Sequence, residues 1–138
     1  MEGREKKNNE RILLVDDEIE VVESGIRVLR WMGYQVIGVT SPTEALEKLR
    51  EQPHQFDLII SDFTMPQMNG IQLAEEIRRI DPCIPIILLT GYGAEVPKKQ
   101  TKSVVINGFL TKPISKNELA RIIRKVLAES PRRQEPGC

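Results

Sequence analysis

The sequence predicts an α/β fold: a doubly wound, five-stranded parallel sheet in strand order 2-1-3-4-5 with five helices. Short apolar runs alternate with helical patterns along the chain, and the connections between them are short. The runs are rich in Ile, Leu and Val and lack polar alternation, which is typical of parallel strands covered on both faces. A chain of 138 residues has the length of a single domain.

The first half of the chain alternates three strands with two helices. These strands are predicted at 12–15, 34–39 and 57–62. Apolar residues at helical spacing follow the first strand and stop at Gly33, a typical end of a helix. Ser41 and Glu44 form a capping-box pattern around a first-turn proline, so we expect the second helix to begin there and to end before Pro53.

The second half continues the alternation. Strands are predicted at 85–90 and 109–111. Asn69 is the predicted N-cap of the third helix, which ends at Pro82. The fourth helix is expected over 94–105, although its residue types are poor helix formers. The capping-box pattern of Ser115 and Glu118 precedes an amphipathic fifth helix.

Composition argues against several classes of function. Twenty basic and twenty acidic residues cancel, so nothing in the charge balance indicates nucleic acid or an anionic membrane as the main partner. No apolar run approaches the length of a membrane span, and the charged first ten residues resemble neither a secretory signal nor an anchor. Cys83 and Cys138 have no metal-ligand spacing and form no plausible disulfide framework, which favours a cytoplasmic location. The expected organisation is a flexible leader at 1–10, a folded domain at 11–129 and a disordered tail at 130–138.

Polar residues end the predicted strands at one edge of the sheet. They are Asp16 and Asp17 after the first strand, Asp62 in the third, Thr90 in the fourth and Lys112 after the fifth. The carboxyl ends of parallel strands meet at one edge, and the crevice opens where the winding reverses, between the first and third strands. Each residue also has a structural explanation alone: Asp62 as a turn former, Asp17 as an acid at a helix start, Lys112 as a surface lysine.

Taken together, the motifs around these residues resemble those of receiver domains of two-component response regulators, most like the receivers of hybrid histidine kinases. The matching motifs lie at 12–18, 61–62, 65–66, 69–70, 90–91 and 109–113. The resemblance covers about residues 11–127 and implies a flavodoxin-like fold. It implies that Asp62 accepts a phosphoryl group from a phosphohistidine of a histidine kinase or phosphotransfer domain. Such a domain is not an enzyme; it catalyses only its own phosphorylation from small donors and its own dephosphorylation.

The resemblance also implies a metal site. The expected ligands of Mg²⁺ or Mn²⁺ are Asp16, Asp17, Asp62 and the backbone carbonyl of Thr64. A carboxylate that attacks an anionic phosphoryl group needs cations that neutralise the charge, and Mg²⁺ prefers oxygen ligands of this kind. Lys112 would supply a second positive charge, and Thr90 would donate its hydroxyl to the phosphoryl group.

A switch follows from the same resemblance. Thr90 and Phe109 would change conformation on phosphorylation, and the peptide bond before Pro113 would be cis. The face formed by the fourth helix, fifth strand and fifth helix is expected to bind a downstream protein or a tethered kinase module. A homodimer is an alternative assembly. No nucleic acid or membrane partner is expected for this chain.

The strand-end acid and the glycines after the fourth strand also suggest two other classes of function. A Mg²⁺-dependent phosphohydrolase with an aspartyl nucleophile would also use a strand-end acid, but Thr64 stands where such enzymes commonly have a second acid, and the chain lacks the length for a substrate-selecting cap. Dinucleotide binding is suggested by the glycines of 91–93, but Val96 replaces the third glycine of that fingerprint. The sequence leaves open whether the chain is a single-domain regulator or the receiver of a hybrid histidine kinase.

Overall fold

The computed structural model describes residues 10–91 and 104–130, which contain five strands and four helices. Among them, strands and helices alternate except between the fourth and fifth strands, where the described residues contain no helix. The strands are β1 (Arg11–Val15), β2 (Gln35–Val39), β3 (Leu58–Asp62), β4 (Ile86–Thr90) and β5 (Gly108–Thr111). The helices are α1 (Ile19–Trp31), α2 (Pro42–Glu51), α3 (Gly70–Ile80) and α4 (Lys116–Ala128). Each predicted strand is present within one residue of its expected bounds.

The five strands form one parallel sheet in the order β2-β1-β3-β4-β5. This order confirms the prediction. The chain leaves β1 for β2 on one side and returns to β3 on the other, so the winding reverses between β1 and β3. The carboxyl ends of these two strands therefore open the crevice in which such folds place their ligands.

Apolar side chains cover both faces of the sheet. Alternate residues of β1 point to opposite faces: Leu13 belongs to a cluster with α2 and α3, and Leu14 to a cluster with α1 and α4. Every residue of β3 and β4 is buried. The unbroken apolar runs are thus central parallel strands, and the two polar residues that end them, Asp62 and Thr90, are held by a rigid core.

Side-chain caps fix the starts of α2 and α3. The Ser41 hydroxyl accepts a hydrogen bond from the backbone N–H of Glu44 at 3.1 Å, as predicted. In a capping box, the Glu44 carboxylate would in turn accept a hydrogen bond from the N–H of the N-cap residue, Ser41. Here it accepts one from the N–H of Thr40 instead, at 3.0 Å. A full box forms at α3 instead. Asn69 Oδ1 accepts from the Gln72 N–H at 2.8 Å, and Gln72 Oε1 accepts from the Asn69 N–H at 2.9 Å.

The helix count differs from the expected five. The predicted fourth helix, 94–105, lies outside the described residues except for Val104 and Val105, and the chain is not helical at either position. The described residues therefore contain four helices, and the fifth predicted helix is α4. The predicted leader and tail also lie outside the described residues apart from Glu10 and Ser130, which is buried.

Two further observations bear on the expected surroundings of the chain. Cys138 lies outside the described residues, and so does any test of the expectation that the two cysteines form no disulfide framework. Among the described residues, no helix is both long enough and apolar enough to cross a membrane.

Candidate functional site

Two neighbouring strands deliver two acids to the crevice. Asp62 is the last residue of β3, and its neighbour Ser61 pairs in register with Val15, the last residue of β1. Asp16 follows β1 directly, and its backbone N–H continues the sheet by donating to the carbonyl of Val39 at 3.2 Å. Both acids are buried. The pairing of β1 with β3 therefore places two carboxyl groups side by side.

A third acid completes a cluster. Asp16, Asp17 and Asp62 each offer one carboxylate oxygen, and these oxygens all lie within 4.8 Å of one another. Asp17 is exposed, so the cluster opens to solvent on its side. Three carboxylates at this separation repel one another and favour a cation between them.

The two oxygens of Asp16 are used differently. Oδ1 accepts a hydrogen bond from the backbone N–H of Glu18 at 2.9 Å, which closes the turn into α1. Oδ2 is buried and, among the described residues, accepts no hydrogen bond. A buried carboxylate oxygen that accepts no hydrogen bond is costly, because its desolvation is only partly offset, here by the ammonium of Lys112 at 3.5 Å. Such an oxygen fits the hard cation that the acidic cluster indicates.

Lys112 brings a positive charge to the cluster. Its ammonium nitrogen lies 2.9 Å from Asp62 Oδ1 and 3.5 Å from Asp16 Oδ2. Its backbone N–H donates to the carbonyl of Thr90 at 2.8 Å, which extends the pairing of β4 with β5 and aims the side chain at the crevice. The peptide bond between Lys112 and Pro113 is cis.

Burial and charge shift the pKa values of two groups in the crevice. Burial raises the pKa of Asp62. The hydrogen bond and the charge of Lys112 lower this pKa, whereas the charges of Asp16 and Asp17 raise it. The net result is a pKa above the ordinary value. Burial lowers the pKa of Lys112, but the hydrogen bond and charge of Asp62, together with Asp16, outweigh it, so this pKa is raised. Lys112 therefore stays protonated in the physiological range.

The remaining predicted residues lie around the cluster. Thr90 is buried at the end of β4, and its hydroxyl is directed to β5. Phe109 in β5 is 41% exposed. Thr64 lies in the irregular segment between β3 and α3 with an exposed side chain. The structure thus brings together the three acids and Lys112, with Thr90 on the adjacent strand.

Gly70 has a role that the sequence argument missed. A Cβ atom at this position would lie 3.2 Å from the carbonyl oxygen of Asp62 and 3.1 Å from the Cα atom of Phe63. The start of α3 therefore packs directly on the backbone that carries Asp62. The Asn69-Gly70 pair serves in the sequence analysis as a helix start and a family motif, and the close backbone approach that a glycine allows is not part of that prediction.

Comparisons with known proteins agree with this arrangement. The profile of the family described as response regulator receiver domain matches residues 12–124. Sensor kinase CckA of Brucella abortus is 36% identical over 116 residues, which cover 84% of this chain and 12% of CckA. Response regulator receiver protein CpdR of the same organism is 32% identical over 117 residues, covering 85% of this chain and 96% of CpdR.

A solved structure shows the same fold. The receiver domain protein from Clostridium thermocellum superposes with a TM-score of 0.79 at 28% identity, covering 86% of this chain and 94% of that one. Receiver domains of this family interact with histidine kinases or phosphotransfer proteins and are signalling phosphoacceptors, not classical enzymes. Since the family profile matches residues 12–124, which include all but the first residue of the sheet, the chain belongs to the receiver domains of two-component response regulators.

Proposed function

We propose that Asp62 is the phosphoacceptor of this receiver domain. The observation that carries the proposal is its position: it ends the buried strand β3, 2.9 Å from the ammonium of Lys112 and within the cluster of three acids. In the proposed reaction, a carboxylate oxygen of Asp62 attacks the phosphorus atom of a phosphohistidine. A P–O bond forms, the P–N bond breaks, and the imidazole leaves with the electron pair of that bond.

The other residues of the crevice stabilise the transferred group. Mg²⁺ or Mn²⁺, held by the three acids and the backbone carbonyl of Thr64, would neutralise charge on the phosphoryl oxygens. Lys112 stabilises a second side of the phosphoryl group, and its raised pKa keeps it charged. Thr90 supplies a hydroxyl donor from the adjacent strand. The same residues support slow self-phosphorylation from small donors and self-dephosphorylation.

A phosphohydrolase is the less supported alternative. Thr64 offers no carboxylate where an aspartyl phosphohydrolase would commonly carry its second acid. The family match also describes a signalling domain. Of the glycine fingerprint for dinucleotides, Gly91 is described, whereas Gly93 and Val96 lie outside the described residues.

Phosphorylation is proposed to change a protein-binding face. Val105 and Phe109 are 67% and 41% exposed near β5, and such apolar exposure supports binding of a downstream protein or a tethered kinase module on the β5 and α4 side. Thr90 and Phe109 are the proposed switch residues, and a homodimer through the same face is the alternative.

We place the reaction in the cytoplasm, because a histidine kinase needs ATP. The relatives include both a sensor kinase and a short receiver protein. The proposal therefore includes both a receiver attached to a hybrid histidine kinase and a single-domain regulator.

Mass spectrometry tests the phosphoacceptor directly. The protein is incubated with acetyl phosphate or phosphoramidate and Mg²⁺, and we expect one phosphoryl adduct on the wild type and none on Asp62→Asn. Asp57→Asn is the matched control, since Asp57 precedes the same strand but accepts a hydrogen bond from the N–H of Arg11 at 2.9 Å, away from the crevice. An adduct that survives Asp62→Asn, or an equal labelling rate without a divalent metal, would count against the proposal.

A further inference from the structure

Two threonines stand side by side at the ends of β4 and β5. The register pairs Thr90 with Thr111, so both side chains point to the same face of the sheet. The Thr90 hydroxyl oxygen lies 3.5 Å from the hydroxyl oxygen of Thr111 and 3.4 Å from the carbonyl oxygen of Leu110. Thr90 is 4% exposed, whereas Thr111 is exposed. The resting hydroxyl of Thr90 is thus directed to β5.

A threonine hydroxyl has a single proton to donate. While Thr90 donates that proton to Leu110 or Thr111, the proton is not available to a phosphoryl group on Asp62. Both contacts are at the long limit of hydrogen bonding, so each is weak and can be exchanged at small cost. Because threonine is β-branched, its hydroxyl moves between discrete χ1 rotamers. The structure shows the Thr90 hydroxyl on β5, and a change of χ1 rotamer would turn it to the crevice.

We propose that Thr111 is a positioning residue that holds the Thr90 hydroxyl on β5 in the unphosphorylated domain. The inference rests on the proposed function of Asp62 and Thr90 and adds a determinant of their switching. A residue that stabilises only the resting state lowers the apparent affinity for any ligand that needs the other state. Loss of the Thr111 hydroxyl therefore favours the state in which Thr90 contacts the phosphoryl group.

Titration with beryllofluoride, a mimic of the aspartyl phosphate, measures this effect in the presence of Mg²⁺. Thr111→Val keeps the shape and removes the hydroxyl, and we expect beryllofluoride to bind about two- to fivefold more tightly, as loss of one weak hydrogen bond predicts. Thr111→Ser keeps the hydroxyl and should bind as the wild type does. The exposed position of Thr111 makes both substitutions compatible with folding.

A double-mutant cycle separates positioning from a general effect on the fold. In a Thr90→Ala background, Thr111→Val should leave the affinity unchanged, because no hydroxyl remains to be held. Equal or weaker binding by Thr111→Val in the wild-type background, or an effect that persists without Thr90, overturns the inference. Failure of the wild type to bind beryllofluoride at Asp62 overturns the proposed function itself. Normal wild-type binding with an unaltered Thr111→Val variant overturns only the role of Thr111.

Discussion

The ammonium nitrogen of Lys112 lies 2.9 Å from Oδ1 of Asp62, so the fifth strand supplies the counter-ion of a carboxyl group in the third. This contact holds the pKa of Asp62 below the value that burial alone would give. We therefore expect Lys112→Met to raise the pKa of Asp62 further in the metal-free protein. A carbon NMR titration of the Asp62 carboxyl group measures the shift.

Lys116→Met is the control for that variant. Its ammonium lies over the ring of Trp31, 5.6 Å from the ring centroid, and so belongs to a different contact near the start of α4. The control should leave the titration of Asp62 unchanged. An unaltered pKa in Lys112→Met would show that the ion pair does not persist in solution.

Asp62 makes the free energy of unfolding of the metal-free protein depend on pH. Burial, the largest cause, raises its pKa in the folded state. An acid whose pKa is higher in the folded state than in the unfolded state stabilises the fold when it is protonated in both states. For Asp62, this contribution is fully present below the ordinary pKa of 3.8 and is lost as the pH rises through the pKa of the folded state. Asp62→Asn has no carboxyl group to titrate. The free energy of unfolding of this variant, relative to that of the wild type, should therefore increase as the pH rises from about 3.8 through the pKa of Asp62 in the folded state.

Urea unfolding in EDTA between about pH 3 and pH 7 tests this expectation. Asp57→Asn again serves as the control, because Asp57 lies at the other end of β3. A stability difference between Asp62→Asn and the wild type that stays constant across the range would assign the titration to another group.

Asp17 distinguishes a metal ligand from a helix-stabilising acid. It is exposed, belongs to the cluster of three acids, and is not the N-cap of α1, which is Glu18. We expect Asp17→Asn to be at least as stable as the wild type without metal, because repulsion in the cluster is relieved. Millimolar Mg²⁺ should raise the Tm of the wild type much more than that of the variant, since metal binds the folded state.

Glu20→Gln is the matched control for Asp17→Asn, because Glu20 is the acid in the first turn of α1 and lies outside the cluster. Its response of Tm to Mg²⁺ should equal that of the wild type. A loss of about 1 kcal/mol or more in metal-free Asp17→Asn would show that Asp17 stabilises the helix start instead.

Gly70 should be intolerant of a single added carbon. The Cβ atom of Gly70→Ala would lie 2.9 Å from Leu88 Cδ2 and 3.2 Å from the carbonyl oxygen of Asp62. This oxygen belongs to the backbone, so it cannot move away without displacing the end of β3. We expect a loss of about 1–3 kcal/mol in the free energy of unfolding, against the helix propensity that favours alanine. Gly91→Ala is the control, because no atom of the described residues other than its chain neighbours lies within 4 Å of its added Cβ, and urea unfolding should show no loss. Equal stability of the two variants would contradict this account.

Thr90 should transmit the state of Asp62 to β5. When beryllofluoride binds, we expect amide hydrogen exchange to change most over residues 90–112, and Thr90→Ala should suppress the change, because the hydroxyl that reports the ligand is gone. Thr40→Ala is the control: its hydroxyl, at the other side of the sheet, contacts Glu44 Oε1 at 3.3 Å. A uniform change in exchange along the chain would argue against a localised switch.

The sequence predicted the sheet and most of the crevice because both depend on simple patterns. Buried parallel strands have unbroken apolar runs, and the polar residue that ends each run must lie at the carboxyl edge. Asp62 and Lys112 follow from this rule once the strand order is known. Alternation of strands and helices predicts a doubly wound parallel sheet, but several strand orders fit that alternation, and the order 2-1-3-4-5 is the one that the family resemblance implies.

Other features depend on distances that no local pattern encodes. The hydrogen bond from the Glu18 N–H to Asp16 Oδ1, which leaves Oδ2 without a hydrogen bond among the described residues, requires the shape of the turn after β1. The close approach of Gly70 requires the angle at which α3 meets β3. The contact of Thr90 with Thr111 requires the register of β4 with β5, which the sequence does not specify. The Glu44 side chain was expected to accept a hydrogen bond from the N–H of Ser41, but it accepts one from the N–H of Thr40, since a glutamate at this position can extend to either group.

The positions of Asp16 and Lys112 along the chain have a consequence for synthesis. The ribosome releases the amino-terminal part of a chain first, so the three acids of the crevice emerge well before the lysine that faces them. Any chain cut before residue 112 carries the Asp62 carboxylate without the lysine that is its counter-ion. If Asp62 is the phosphoacceptor, as proposed, the site is complete only when β5 has been translated and paired.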